Sequence, residues 1–120
     1  NLDIRFTSKK DQLAIEKALN SICKNGISFE TLAYGEPFEL SKDNPYLQKY
    51  LAAAEKITGV RPKLIQSAGA SDARFFAIKN IPVIISRPIG GGHHTENEWL
   101  SEKSLKQYYE VVKQFVLNLN

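Results

Sequence analysis

The run Ile81-Pro82-Val83-Ile84-Ile85-Ser86 leads directly into Arg87-Pro88-Ile89-Gly90-Gly91-Gly92-His93-His94-Thr95-Glu96-Asn97-Glu98, and together these residues decide the expected fold class. A continuous apolar run of this length reads as a strand covered on both faces, the habit of a sheet flanked by helices. The stretch 87–97, rich in Gly and His, reads as the loop beyond that strand's carboxyl end, where open α/β sheets gather their ligands.

The pattern extends in both directions. After the loop, a helix is expected from about Ser101, with Leu105, Tyr108, Tyr109, Val112 and Val116 on one face. Before the strand, residues 72–78 fit a short helix, and Ser67-Ala68-Gly69-Ala70-Ser71 is a small-residue turn after a short strand over 63–66. Asn44-Pro45 opens an earlier helix, with Pro at the first helical position. Leu47, Tyr50, Leu51, Ala54 and Ile57 form its buried stripe, and Gly59 ends it. In the first third, Leu2, Ile4 and Phe6 alternate with Asp3 and Arg5, the period of a half-buried strand. Ser8 and Asp11 make a capping pair for a helix carrying Ile15, Ala18, Leu19 and Ile22, which Asn25-Gly26 stops. Ile27 and Phe29 begin another strand running towards Tyr34. Gly35-Glu36-Pro37 breaks the pattern, and residues 37–44 read as a link between two modules. The order strand–helix–strand, then helix–strand–helix–strand–helix, is that of an α/β chain.

Composition narrows the function. Lys plus Arg number 16 against 13 Asp plus Glu, a net charge of +3. That excess is too small, and too dispersed among non-aromatic neighbours, to point to nucleic acid. The single cysteine, Cys23, excludes an intrachain disulfide and reads as a small core hydrophobe. No signal peptide and no apolar run of bilayer-spanning length is evident, so no membrane partner is expected and the cytoplasm is the default location. The sequence contains no Met and opens at once on a strand pattern. It is therefore expected to be a piece of a longer protein, or a chain whose N-terminus is exposed by processing.

Two loops are candidates for chemistry. Residues 67–72 follow a strand and lead into a helix, and their small side chains would leave backbone N–H groups free for an anion. From composition alone, a tight turn with Asp72 as helix cap is the stronger reading. The loop 87–98 holds both histidines of the chain. Imidazole is the commonest zinc ligand, and glycine lets backbone pass close to a bound group. A zinc site needs further ligands, so the pair is equally a solvated loop, a packing pair, or half of a site completed elsewhere. The glycines are not a phosphate loop, because no Gly-Lys-Ser/Thr follows. A triad of Ser71, His94 and Asp72 ranks low, since the serine lacks a Gly-x-Ser-x-Gly elbow.

Gly69-Ala70-Ser71-Asp72-Ala73-Arg74-Phe75, then 81–85, then 87–98, follow in an order that resembles the C-terminal third of the zinc aminoacylase and carboxypeptidase family. That family includes succinyl-diaminopimelate desuccinylase, acetylornithine deacetylase, aminoacylase and glutamate carboxypeptidase. The resemblance covers nearly the whole chain. It implies that residues 1–36 are the second half of a lid or dimerisation domain, and that 37–120 are the final α/β segment of the catalytic domain. The family's zinc-ligand histidine lies four residues before a glutamate, a register that picks His94 with Glu98. By resemblance, Gly69, Ala70, Ser71 and Asp72 lie near the substrate's carboxylate, and Arg5 is the lid arginine that reaches over the substrate. Arg5 shares its expected strand face with Asp3, where a surface salt bridge would look identical.

The family's other zinc ligands and its general-base Glu belong to upstream segments that this sequence does not contain. The implied mechanism is that of the intact enzyme: zinc acidifies a bound water, the upstream Glu takes its proton, and the resulting nucleophile attacks the amide carbonyl. The resemblance thus implies one or two zinc ions, a small N-acyl amino acid or peptide as substrate, and a homodimer formed through the lid half. The chain alone is expected to be inactive and to bind zinc weakly. The Asn97-Glu98-Trp99 ending favours the desuccinylase and deacetylase branch over a dipeptidase or carboxypeptidase. A non-catalytic dimerisation module is the reading from another class, because half of a sheet leaves open edges that invite pairing.

Overall fold

The computed structural model describes residues 1–24, 26–69 and 71–119. The expected helix stop at Asn25 and the expected substrate contact at Ala70 therefore lie outside the described residues. Among the described residues four helices form: α1 (Lys9–Ile22), α2 (Pro45–Thr58), α3 (Ala73–Ala77) and α4 (Glu102–Leu117). One antiparallel pair of short strands, β1 (Gly90–Gly91) and β2 (Trp99–Leu100), sets Gly90 opposite Leu100 and Gly91 opposite Trp99. The chain divides into two compact units, Asn1–Leu40 with Ile65–Val83, and Ser41–Leu64 with Ile84–Asn120. Among the described residues no helix is long and apolar enough to cross a membrane.

The helices begin where the side-chain chemistry says they should. The Ser8 hydroxyl accepts the Asp11 N–H at 3.1 Å, closing the first turn of α1. Asn44 Oδ1 accepts from the N–H groups of Tyr46 (3.0 Å) and Leu47 (3.2 Å), while Pro45 has no N–H to satisfy. Gly59 ends α2 in the left-handed region at φ 76°, and its N–H returns to the Glu55 carbonyl at 2.9 Å. At α3 the expected cap is corrected. Asp72 makes no capping bond with its side chain, and the Ser71 hydroxyl takes the Ala73 N–H instead, at 3.2 Å.

The second unit holds most of the core. Tyr50 and Ala54 of α2 bury against Val111 of α4, with Ile57, Ile84 and Phe115 packed around them. The Tyr50 and Phe115 rings meet edge to face at 5.6 Å. The buried stripe of α2 is the expected one at Leu47, Tyr50, Leu51 and Ala54, with Ala53 added and Ile57 only partly buried. That of α4 is turned from the expected face: Ser104 and Val111 are buried, whereas Leu105, Tyr109 and Val116 are exposed. The cause is polar. Ser104 Oγ accepts the Ile89 N–H at 2.9 Å and itself lies 2.9 Å from the Ser101 carbonyl, so a serine occupies the stripe in place of Leu105.

The first unit has little core of its own. None of the residues of α1 is buried, and Ala73 is the buried apolar residue there. Tyr34 ties the unit together at its surface. Its ring stacks on Phe6 with centroids 6.2 Å apart, and its hydroxyl donates to Gln12 Oε1 at 2.8 Å.

The four expected strands at 2–6, 27–34, 63–66 and 81–86 are corrected, because none carries a ladder. So is the mixed or parallel sheet expected of the second half, since the one ladder present is antiparallel. Alternation or an apolar run fixes which side chains would face a core, but only a neighbour's N–H and C=O complete a strand. Without that neighbour the side chains stay open to solvent: Leu2 is 79% exposed and Ile65 86%. The architecture is a mixed helical one with a two-stranded hairpin.

That hairpin, read from sequence as a plain loop, is built on glycine. Gly92 has φ +66°, and a Cβ there would come 2.5 Å from the Asn97 carbonyl oxygen. Gly59 has a similar φ but open space around it. Gly59→Ala should therefore incur the conformational cost alone, about 1–2 kcal/mol in chemical denaturation. Gly92→Ala should show that cost plus a steric one, with faster hydrogen exchange at the Thr95 and Glu98 amides; equal effects of the two changes would refute this account of the turn.

Acid should loosen α1. Hydrogen bonds from Ser8 and then Thr7 hold the Asp11 carboxyl below the usual carboxylate range. A depressed native value gives stability that is present above about pH 4 and lost as pH falls through that native value. Helicity followed by circular dichroism should fall across this acid window, and Asp11→Asn should remove that part of the slope.

Candidate functional site

The hairpin joins β1 to β2 through residues 92–98, and several bonds shape the turn. The Thr95 N–H donates to the Gly92 carbonyl at 3.0 Å, and the Thr95 hydroxyl donates to the same oxygen at 2.7 Å. The Glu98 N–H returns to the Thr95 carbonyl at 3.2 Å. At its base the hairpin is moored to α4 by the Ile89–Ser104 bond and by the Ser101 N–H, which donates to the Ile89 carbonyl at 2.9 Å. One step earlier, Ser86 sits in a hydroxyl cluster. Tyr50 donates to Ser86 Oγ at 2.8 Å, and Tyr108 Oη lies 3.4 Å from the same atom. Burial pushes the Tyr50 hydroxyl pKa up, keeping it a donor.

The two histidines differ in kind. His93 uses both ring nitrogens: Nε2 meets Arg87 Nη1, and Nδ1 lies 3.2 Å from Glu98 Oε1. The His93 hydrogen bond, foremost, holds the Glu98 carboxyl below its ordinary range. His94, the expected metal ligand, has backbone φ 64°, in the left-handed region where His is tolerated and most residues are not. The hydrogen bonds of this turn do not engage its ring. Among the described residues no three His, Cys, Asp or Glu side chains converge as a metal cage. Within the described residues His94 is therefore a single imidazole donor and not part of a closed site.

The remaining expected site residues belong to the first unit. Arg5 is engaged by Asp3, with Nε 2.8 Å from Oδ1 and Nη2 2.7 Å from Oδ2, and Nη1 stands outside the pair. Hydrogen bonding from Arg5 lowers the Asp3 pKa, and the partner raises that of Arg5. The pair is exposed on both sides, as a surface salt bridge would be. In the turn before α3, the Gly69 N–H is already taken by Ser67 Oγ at 3.2 Å. The expectation of free N–H groups is corrected at that residue, because a serine two positions back is well placed to cap it. Ser71 and Asp72 flank the start of α3.

Sequence reasoning missed four participants. Arg87 and His93 could have been paired with Glu98 from their closeness in the motif, once the glycines were read as a hairpin and not as a loose loop. Ser104 gave no signal, since a serine inside an apolar helix pattern reads as solvent-facing. Arg74 lies over Gly35, where its Nη1 occupies space 2.8 Å from where a Cβ would stand, and it covers the Phe75 ring at 4.8 Å.

Comparison with known proteins places the sequence in a family. The chain is 35% identical over 80 residues to the succinyl-diaminopimelate desuccinylase of Sulfurovum sp. (strain NBC37-1), covering 67% of this chain and 22% of that protein. It is 29% identical over 110 residues to the enzyme of the same name from Shewanella pealeana, covering 90% of this chain and 29% of that one. A third, from Sulfurimonas denitrificans, is 32% identical over 80 residues, with 67% and 22% covered. The chain thus spans between a fifth and a third of the length of these relatives. No solved structure matches it. Residues 4–118, almost its whole length, match one family description, and the chain belongs to peptidase family M20/M25/M40.

Proposed function

We propose that this chain is the C-terminal part of a zinc-dependent amidohydrolase that removes acyl groups from amino acids, with N-succinyl amino acids as the favoured substrates. The observation that carries the reading is the hairpin. His94 stands in a built, glycine-lined turn four residues before Glu98, with its neighbour His93 already engaged. The likeness to three desuccinylases supports the choice of acyl group. In this reading His94 contributes one zinc ligand, and the remaining ligands and the general base come from segments outside this chain. Bound there, zinc would supply Lewis acidity at the scissile carbonyl.

The substrate-holding roles fall to Arg5 and to Gly69, Ala70, Ser71 and Asp72. Arg5 can reach a substrate carboxylate through Nη1, or by exchanging Asp3 for it, since an exposed pair is held weakly. Residues 1–36 serve as the second half of a lid through which two subunits pair, and residues 37–120 complete the catalytic domain. The unladdered segments 2–6 and 27–34, with Leu2 and Leu32 both 79% exposed, suit a surface that pairs with further strands. By itself the chain is inactive and holds zinc weakly.

The test is hydrolysis of a panel of N-succinyl and N-acetyl amino acids and dipeptides by the intact protein, before and after chelation. Succinyl substrates should be cleaved fastest and chelation should abolish the activity. His94→Ala should reduce it by at least about 100-fold, beyond what loss of an outer-shell partner costs. Cleavage of dipeptides alone would move the assignment to the carboxypeptidase branch. Zinc binding without hydrolysis of any substrate would leave a non-catalytic dimerisation module.

A further inference from the structure

We infer that His93 is a positioning residue: an imidazole that bridges Arg87 to Glu98 across the mouth of the hairpin and thereby holds His94 in its left-handed conformation for metal binding. The inference rests on the reading of His94 as a ligand.

The protonation pattern follows from the partners. A guanidinium has only donors, so the His93 Nε2 that meets Arg87 Nη1 must accept. An imidazole that accepts at Nε2 carries its proton on Nδ1, and that N–H then donates to Glu98 Oε1 at 3.2 Å. His93 is thus committed at both nitrogens and is unsuited to be a second ligand. Its two partners come from opposite sides of the turn, Arg87 from before β1 and Glu98 from just before β2. The bridge closes a ring around residues 88–97, and His94 lies inside that ring.

His94 needs such help. Histidine tolerates a left-handed backbone better than most residues, but the conformation still costs free energy that its surroundings must offset. Gly92 beside it is also left-handed and allows the backbone crossing, but glycine fixes no conformation of its own. The Thr95 bonds shape the turn on the far side of His94, and the His93 bridge shapes it on the near side. The bonds of the bridge are exposed, so their effect on global stability is small. Their effect falls on the geometry of one residue, which is how outer-shell partners act on metal ligands.

Glutamine can reproduce the bridge, because its carbonyl accepts from Arg87 while its amide donates to Glu98; leucine can do neither. The experiment measures zinc affinity of the intact protein by competition with a chelator, and hydrogen exchange of the amides of residues 92–98 in the metal-free protein. His94→Ala should lose the zinc. His93→Leu should weaken affinity about 10- to 100-fold and speed exchange in the turn. His93→Gln should stay within about three-fold of the parent in affinity and keep its protection, well short of an outer-shell loss. If the Leu and Gln variants behave alike, whether both intact or both impaired, the bridge is refuted while the ligand stands. If His94→Ala keeps its zinc, the ligand assignment fails first and the bridge falls with it. A melting curve for each variant separates loss of fold from loss of geometry.

Discussion

Tyr50 reaches two structures at once. Its ring packs edge-on against Phe115 of α4, and its hydroxyl donates to Ser86 at the end of the apolar run that leads to the hairpin. The first contact fixes α2 on α4 through apolar burial, which contributes on the order of 2 kcal/mol for a large side chain. The second satisfies a half-buried hydroxyl and at the same time places the backbone just before Arg87. The hairpin is then moored at Ile89 by Ser104 and by the Ser101 N–H, and beyond these points its shape is its own affair. In the second unit the route from core to candidate site is therefore short: ring, hydroxyl, backbone, turn.

The first unit lacks an equivalent. Its helix is well capped at Ser8 but buries nothing, and an aromatic stack and a few surface hydrogen bonds around Tyr34 hold it. Helices can be written in local code, because caps and periodicity lie within a few residues of one another. Helices α1, α2 and α4 were legible for that reason, from Ser8 with Asp11, Asn44-Pro45 with Gly59, and Ser101; α3 was placed in sequence but not by its cap. Strands need a distant partner, and no pattern at Leu2, Ile27 or Ile81 says where that partner is. The two residues-long strands that do form were not legible, since Gly90 and Gly91 have no side chains from which a period could be read.

The candidate site was legible to a similar degree. The register of His94 and Glu98 and the small turn at 69–72 stood out because the family resemblance marked their spacing. The bonds around them did not. Asp3 holding Arg5, Ser67 occupying the Gly69 N–H, and Ser71 capping α3 in place of Asp72 are choices among several polar neighbours, which three-dimensional placement decides and composition does not. The turned face of α4 shows the same thing in the core, where one hydroxyl with two carbonyls and an N–H in reach displaced a leucine from the buried stripe.

The face of Gly91 has one more consequence. The indole of Trp99 lies against it so closely that a Cβ would meet Nε1 at 2.8 Å. Trp99 is also the single tryptophan of the chain. The chain's one indole thus sits at the closing pair of the hairpin, five and six positions from the two histidines. Within this chain, emission excited at the indole's long-wavelength edge, where tyrosine does not absorb, comes from that turn, and its colour is a native gauge of whether the strands around His94 are zipped or open.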